Sequence, residues 1–147
     1  MSEVEFIKGD LFKAKKGSVL AHACNAQGRW GSGIAKIFAD KFPDAQKVYS
    51  EHCRSNGREV LGTCLIILAG DYKIACLFTS ENYGELKDAP NQILERTRAA
   101  VADLIRQTSA ADRIAMCKIN SGLFAFPWEQ TEAILDEFHR PMTVYEI

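Results

Sequence analysis

The chain has 147 residues, 47% of them hydrophobic, and is therefore expected to form one folded domain, residues 1–147, with a substantial core. Its 18 basic and 19 acidic residues nearly balance, which argues against a dedicated nucleic-acid surface and against a polybasic membrane anchor. No run approaches the roughly 18 to 20 apolar residues that span a bilayer, and the N-terminus lacks a secretory signal pattern.

The predicted elements alternate between strands and helices. They begin with a strand from Val4 to the turn at 9–10, a buried central strand at 18–23, a helix from Gly33, and a helix from Pro43 to Asn56. The apolar runs 63–69 and 73–79 flank a short turn and predict two antiparallel strands. A long helix from Pro90, a buried strand at 113–119, a loop at 120–127, a helix at 128–138 and a strand at 142–147 follow. This order predicts an α/β fold with a mixed sheet.

Two loops stand out because each leaves a buried strand, contains glycine and leads into a helix. They are 25–34 and 120–127. Ligands of such sheets bind beyond the carboxyl ends of the strands, and main-chain N–H groups at a helix start favour anions. We therefore expect a phosphate-bearing ligand between the two loops. For a single glycine, the alternative is simply close packing of helix on sheet.

Familiar phosphate-binding motifs do not match the first loop. The stretch 28–33 has the order G-x-x-G-x-G, whereas the dinucleotide motif has the order G-x-G-x-x-G, and the chain has no P-loop. In cysteine phosphatases five residues separate the cysteine from the arginine, but only four separate Cys24 from Arg29. Cys24 is therefore interpreted as a packing residue.

The cysteines indicate neither a disulfide framework nor a zinc site. Their number, five, is odd, no C-x-x-C spacing occurs, and most lie inside apolar runs. No cluster of carboxylates and histidines is spaced to hold a metal ion, so we predict no metal and no cofactor. We expect reduced thiols and a protein that lies in the cytoplasm, with the nucleus as a second compartment.

Four blocks of the sequence resemble the macrodomain family, in particular its fungal ADP-ribose 1''-phosphate phosphatase type. They are KGDLF (8–12), HACNAQGRWGSGIA (22–35), CLFTS (76–80) and INSGLFAFPWEQTEAIL (119–135). The resemblance implies a macrodomain-like three-layer α/β/α fold with a central mixed sheet, and a cleft for ADP-ribose or its 1''-phosphate. More distantly, the chain is similar to the terminal ADP-ribose protein glycohydrolase.

The resemblance also implies roles for individual residues. Asp10 would accept a hydrogen bond from the adenine amino group, the alternative being an ordinary turn residue. Asn25 would bind the distal ribose, the alternative being a local turn-forming amide. Segments 31–34 and 121–126 would enclose the pyrophosphate and the terminal phosphoribose. The full predicted ligand-binding set is Gly9, Asp10, Leu11, Asn25, Trp30, Gly31, Ser32, Gly33, Ile34, Ala35, Thr79, Ser80, Asn120, Ser121, Gly122, Leu123, Phe124, Ala125 and Phe126.

His22 and Asn25 are the predicted catalytic residues. His22 lies near the end of a central strand beside the first loop, where an imidazole can protonate a leaving oxygen or activate water. A core histidine is the equal alternative. Trp30 would either cover the terminal ribose or anchor its loop. Trp128, with the aromatic residues of the second loop, would either cap the ligand or fill the seam between the last helix and the sheet.

The chain departs from the glycohydrolase at two positions. Ser80 and Phe124 stand where that relative has a lysine and an aspartate, and serine cannot form the imine of a lysine nucleophile. The departure favours the phosphatase-type activity, hydrolysis of ADP-ribose 1''-phosphate. We separately predict that this activity needs no metal and that the protein is a monomer. Two alternatives stay open: hydrolysis of ADP-ribosyl groups on protein or nucleic acid by another route, and non-catalytic recognition of ADP-ribose.

Overall fold

A computed structural model of the protein describes residues 3–31, 33–82, 88–120 and 127–146. The helices are α1 (Gly33–Lys41), α2 (Pro43–Asn56), α3 (Pro90–Gln107) and α4 (Trp128–Asp136). The strands are β1 (Val4–Lys8), β2 (Val19–Asn25), β3 (Cys64–Ala69), β4 (Tyr72–Ser80), β5 (Ile114–Met116) and β6 (Met142–Glu146). Short 3-10 helices at Leu11–Lys13 and Gly57–Val60, which sequence analysis missed, follow β1 and α2. Within these described ranges, no helix combines the length and apolar character that a bilayer crossing requires.

The six strands form one mixed sheet, as predicted, in the order β1-β6-β5-β2-β4-β3. All neighbouring pairs are parallel except β3 and β4, which form the expected antiparallel hairpin. Because five strands run in the same direction, the segments that follow β1, β2, β4 and β5 all begin at the same edge of the sheet. Both predicted ligand-binding loops therefore start from this edge.

Side chains of the central strands alternate between two hydrophobic clusters. On β2, Leu20 and Cys24 pack in the cluster that contains residues of α1 and α2, such as Phe38 and Tyr49. Val19 and Ala21 point the other way, into the cluster that contains residues of α3 and α4. The sheet thus has helices on both faces, which confirms the predicted three-layer α/β/α architecture.

Some element ends differ from the sequence-based expectations. The central strand β2 runs on to Asn25, because it stays paired with β4 as far as Ser80. The strand β5 is shorter than the predicted 113–119, since its pairing with β2 ends at Met116. Helix α4 ends at Asp136, before the predicted end at 138, because the hydrogen bonds that follow join residues three apart, as in a 3-10 turn. The chain then turns at His139, where φ is 51°.

Candidate ligand-binding cleft

The candidate site lies at the carboxyl edge of the sheet, where β2 and β5 part. Ala21 is the last residue of β2 that pairs with β5, whereas β2 itself continues beside β4 to Asn25. The edge therefore opens between two central strands, the kind of place where α/β sheets bind ligands. Asn25 and Ser80 lie at this edge, at the ends of β2 and β4.

The Asn25 side chain is occupied within its own loop. Its Oδ1 accepts hydrogen bonds from the N–H groups of Gln27 at 2.9 Å and Arg29 at 3.4 Å, and its Nδ2 donates to the carbonyl oxygen of Arg29 at 2.9 Å. The Tyr49 hydroxyl donates to the Asn25 carbonyl oxygen at 2.7 Å and lies 3.0 Å from Oδ1. Burial raises the pKa of that hydroxyl far above its ordinary range, so it stays a donor. This geometry favours the turn-forming interpretation, and a ribose contact stays a prediction.

Gly28 packs directly against α2. Its φ is 75°, and a Cβ atom there would lie 3.3 Å from Cα of Ser50. The Ser50 hydroxyl donates to the Gly28 carbonyl oxygen at 2.8 Å. Glycine is needed at this position because residue 28 has a left-handed backbone conformation and also lies close to the backbone of Ser50. Sequence analysis counted this glycine in the loop but could not identify the helix that approaches it.

Several main-chain donors of the first loop are already used within the protein. The N–H of Ala26 donates to the Ser80 carbonyl oxygen at 3.0 Å, and those of Gln27 and Arg29 donate to Asn25. The N–H groups of Trp30 and Gly31 have no acceptor among the described residues. Helix α1 starts just beyond them, and the N–H groups of a first helical turn have no partner in the helix. The predicted anion site therefore narrows from 25–34 to the part that starts at Trp30.

Gly33, Ile34 and Ala35 form the first residues of α1. Gly33 has a φ of 61°, a conformation that favours glycine, while Ile34 and Ala35 are half-buried against the core. Gly31 is exposed, and the predicted contact Ser32 lies outside the described residues.

His22 lies inside the core. Its side chain is only 1% exposed and stacks on Phe38, with ring centroids 4.1 Å apart and an interplanar angle of 12°. The Trp30 ring meets it edge-on at 5.0 Å, and Cys24 Sγ lies 3.5 Å from its Nε2. These neighbours surround the imidazole with side chains of the core. Of the two interpretations left open by the sequence, the geometry favours the core histidine.

Trp30 is an anchor of the first loop. It is 3% exposed and stacks on Tyr49, with ring centroids 4.8 Å apart and an interplanar angle of 15°. Its indole therefore fixes the loop on α2, and the geometry favours this role over that of a cover on the ribose. Trp128, 8% exposed, packs edge-on against Phe6 on the other side of the molecule and fills the seam between α4 and the sheet.

A buried polar network leads into the second predicted loop. The Asn120 side chain accepts a hydrogen bond from the Thr79 hydroxyl at 3.1 Å and donates to the Thr97 hydroxyl at 3.0 Å. Asn120 also has a left-handed backbone, with φ of 65°. Thr79 and Asn120 thus fix the start of this loop through buried side chains. The predicted contacts Ser121, Gly122, Leu123, Phe124, Ala125 and Phe126 lie outside the described residues.

Ser80 is a buried residue with an unused hydroxyl. It is 0% exposed, and its Oγ has no partner among the described residues. Ser80 ends β4 at the open edge, and its hydroxyl, like the Trp30 indole N–H, is buried without a hydrogen-bond partner among the described residues.

The predicted adenine end lies after β1. Asp10 is exposed, and its carboxylate accepts a hydrogen bond from the N–H of Phe12 at 2.9 Å, which caps the first 3-10 helix. Burial, followed by the charge of the Asp10 carboxylate, raises the pKa of the Cys117 thiol in the segment after β5. Gly9 donates its N–H to the carbonyl oxygen of Glu146 at 2.7 Å, whereas Leu11, 2% exposed, packs in the core.

Three buried side chains are grouped closely enough to share a metal ion. The donor atoms of His22, Cys24 and Cys76 lie within 4.8 Å of one another, and two thiolates with an imidazole suit a soft ion such as Zn²⁺ or Cu⁺. Burial raises the pKa of the Cys24 thiol, but its interactions with Cys76 and His22 outweigh burial and lower that pKa to about 5, whereas burial and Cys24 raise the pKa of the Cys76 thiol. Sequence analysis missed this group because pairing of β2 with β4 creates it. The absence of a metal stays a prediction.

Comparisons with known proteins agree with this architecture. The Macro domain family profile matches residues 21–135. An ADP-ribose 1''-phosphate phosphatase of Lodderomyces elongisporus is 44% identical, with 91% of each chain covered, and one of Candida albicans is 42% identical, with 92% and 93% covered. The macrodomain of Mycobacterium tuberculosis DarG superposes with a TM-score of 0.80 at 21% identity, covering 98% of this chain and 97% of that one. The chain therefore belongs to the macrodomain family.

Proposed function

We propose that the protein binds ADP-ribose and hydrolyses ADP-ribose 1''-phosphate to ADP-ribose and inorganic phosphate. The observation that carries the proposal is the pair of N–H groups at Trp30 and Gly31, which have no acceptor among the described residues and lie just before the start of α1. Main-chain donors at a helix start hold phosphate without a lysine. The activity named for the fungal relatives, which match this chain over nearly its full length, supports the same substrate.

In this reaction one water molecule adds across the bond between the sugar and its phosphate. Negative charge that develops on the phosphate oxygens is stabilised by fixed N–H dipoles, which need no rearrangement as the reaction proceeds. Ser80 lies at the same edge, at the end of β4, but its Oγ is buried, so a contact between this hydroxyl and the ligand stays a prediction. We assign no proton transfer to His22, since its ring is enclosed by Phe38, Trp30 and Cys24.

The decisive experiment is phosphate release from ADP-ribose 1''-phosphate by the purified protein in the presence of a chelator. We expect sustained turnover, because the proposed charge stabilisation uses only main-chain and side-chain donors. Loss of activity on chelation, restored by added metal, would contradict the metal-free proposal. Repeating the reaction in oxygen-18 water identifies the bond that breaks. Label in phosphate means attack at phosphorus, and label in ADP-ribose means attack at C1''.

The alternatives give different results in the same assays. Binding of ADP-ribose without turnover of any substrate would identify a reader. Release of ADP-ribose from modified protein or nucleic acid, without phosphate release, would identify an ADP-ribosyl hydrolase. Removal of ADP-ribose from protein glutamate through a lysine nucleophile is the least favoured alternative, because Ser80 stands at the position of that lysine and cannot form an imine. We further propose a monomer in the cytoplasm and nucleus, to be tested by light scattering and by imaging of the tagged protein.

A further inference from the structure

A second cleft adjoins the first loop on the side that faces α2. Its volume is about 680 Å³, and its lining includes the loop 26–31, Ser50 and Arg54 of α2, Arg58, and Glu81. We call it the arginine cleft because Arg29, Arg54 and Arg58 all line it. Trp30 and Gly31 of this lining are predicted ligand contacts, but the sequence predicts no role for the three arginines of the cleft.

The arginine cleft carries an excess of positive charge. Its one acidic lining residue, Glu81, is already paired with Arg58 at 3.3 Å. The exposed Arg29 and Arg54 have no acidic partner among the described residues. Two guanidinium groups are thus left to bind an anion, and guanidinium matches the geometry of phosphate oxygens.

The structure fixes the Arg29 backbone more firmly than an ordinary loop residue. Asn25 bonds both its N–H and its carbonyl oxygen, and Gly28 next to it is held by Ser50 of α2. Arg54 lies one helical turn beyond Ser50 on the same helix. The contacts that shape the loop therefore also bring the two free guanidinium groups to one cleft.

The location of the cleft indicates which part of the ligand it faces. The lining segment 26–31 begins immediately after Asn25 and ends at Gly31. Trp30 and Gly31, whose free N–H groups carry the proposed function, also line the cleft. The cleft therefore adjoins the place where the proposed function puts the phosphate.

We propose that Arg29 and Arg54 bind the phosphate at C1'' and make the protein select the phosphorylated ligand over ADP-ribose. This inference rests on the proposed function and extends it with a specificity device. The arginines contact the phosphate that leaves, a group that ADP-ribose lacks. Their loss should therefore affect the substrate and spare ADP-ribose.

The test uses Arg29→Gln, Arg54→Gln and the double variant, with Arg113→Gln as the matched control. Arg113 is exposed and precedes β5, at the opposite edge of the sheet. We measure kcat/KM for ADP-ribose 1''-phosphate and the Kd of ADP-ribose by calorimetry. We expect kcat/KM to fall on the order of tenfold in each single variant and more in the double variant, as loss of charge-assisted hydrogen bonds predicts. The Kd of ADP-ribose should stay within about twofold of wild type, since ADP-ribose lacks the group that these hydrogen bonds hold.

A second measurement separates this inference from the proposed function. Inorganic phosphate is titrated into the protein saturated with ADP-ribose, and we expect it to bind wild type and Arg113→Gln but not the double variant. If the wild type turns over ADP-ribose 1''-phosphate and the double variant does so as well as Arg113→Gln, the arginine assignment fails and the function stands. If the wild type shows no turnover, the phosphate titration decides, and equal binding by all variants overturns the assignment.

Discussion

Replacing Gly28 by alanine is a direct test of how the first loop packs on α2. At φ of 75°, an L-residue costs about 1–2 kcal/mol because its Cβ crowds the following carbonyl group. The new Cβ would also lie 3.3 Å from Cα of Ser50, a backbone atom that moves only if α2 or the loop moves. Crowding of this kind adds about 1–3 kcal/mol. We therefore expect Gly28→Ala to lower the free energy of unfolding by about 2–5 kcal/mol.

Gly70 provides the matched control for the backbone cost alone. Its φ is 58°, and a Cβ atom there would meet nothing within 4 Å. In urea unfolding followed by circular dichroism, the free energy of unfolding of Gly70→Ala should exceed that of Gly28→Ala by about 1–3 kcal/mol. Calorimetry should show weaker ADP-ribose binding for Gly28→Ala only, since a shifted loop displaces Trp30. Equal stability of the two variants would refute close packing of Gly28 on Ser50.

Three further predictions concern residues that surround the same loop. Asn25→Ala should lower the free energy of unfolding by about 1–3 kcal/mol and reduce turnover, because the loop loses the hydrogen bonds of this side chain. Asn25→Asp keeps the accepting Oδ1 and should be less destabilised in urea, and unchanged stability of Asn25→Ala would contradict the turn-forming role. His22→Phe should keep the wild-type kcat profile between about pH 5 and 8, because the ring stacks in the core; selective loss of kcat in a folded variant would restore a proton role. Burial, followed by the Cys24 charge, raises the pKa of the Cys53 thiol from 9.0 to about 11. Between pH 9 and about 11 the unfolded chain therefore loses a proton that the folded protein keeps, and the free energy of unfolding should fall as the pH rises through this range. Urea titrations at two alkaline pH values check this, and Cys53→Ala should show a smaller decrease.

The sequence by itself determined the order of the main helices and strands and the mixed character of the sheet. Hydrophobic periodicity, with glycine and proline at the element ends, predicted the helix from Pro43 to Asn56, the β3–β4 hairpin and the mixed sheet. Such signals depend on neighbouring residues in the chain, so they survive without any knowledge of tertiary contacts. The same reasoning placed the candidate cleft at the carboxyl edge of the sheet, and the family resemblance named its ligand.

Only the tertiary structure decided what individual side chains near the cleft do. His22 and Asn25 looked alike as polar residues near a strand end, yet packing of α1 and α2 stacks the first in the core and bonds the second within its loop. The register between β2 and β4 groups Cys76 with Cys24, and the packing of the first loop on α2 brings Arg29 and Arg54 to the lining of one cleft. These relations depend on strand register and helix packing between distant segments, which local sequence patterns do not encode.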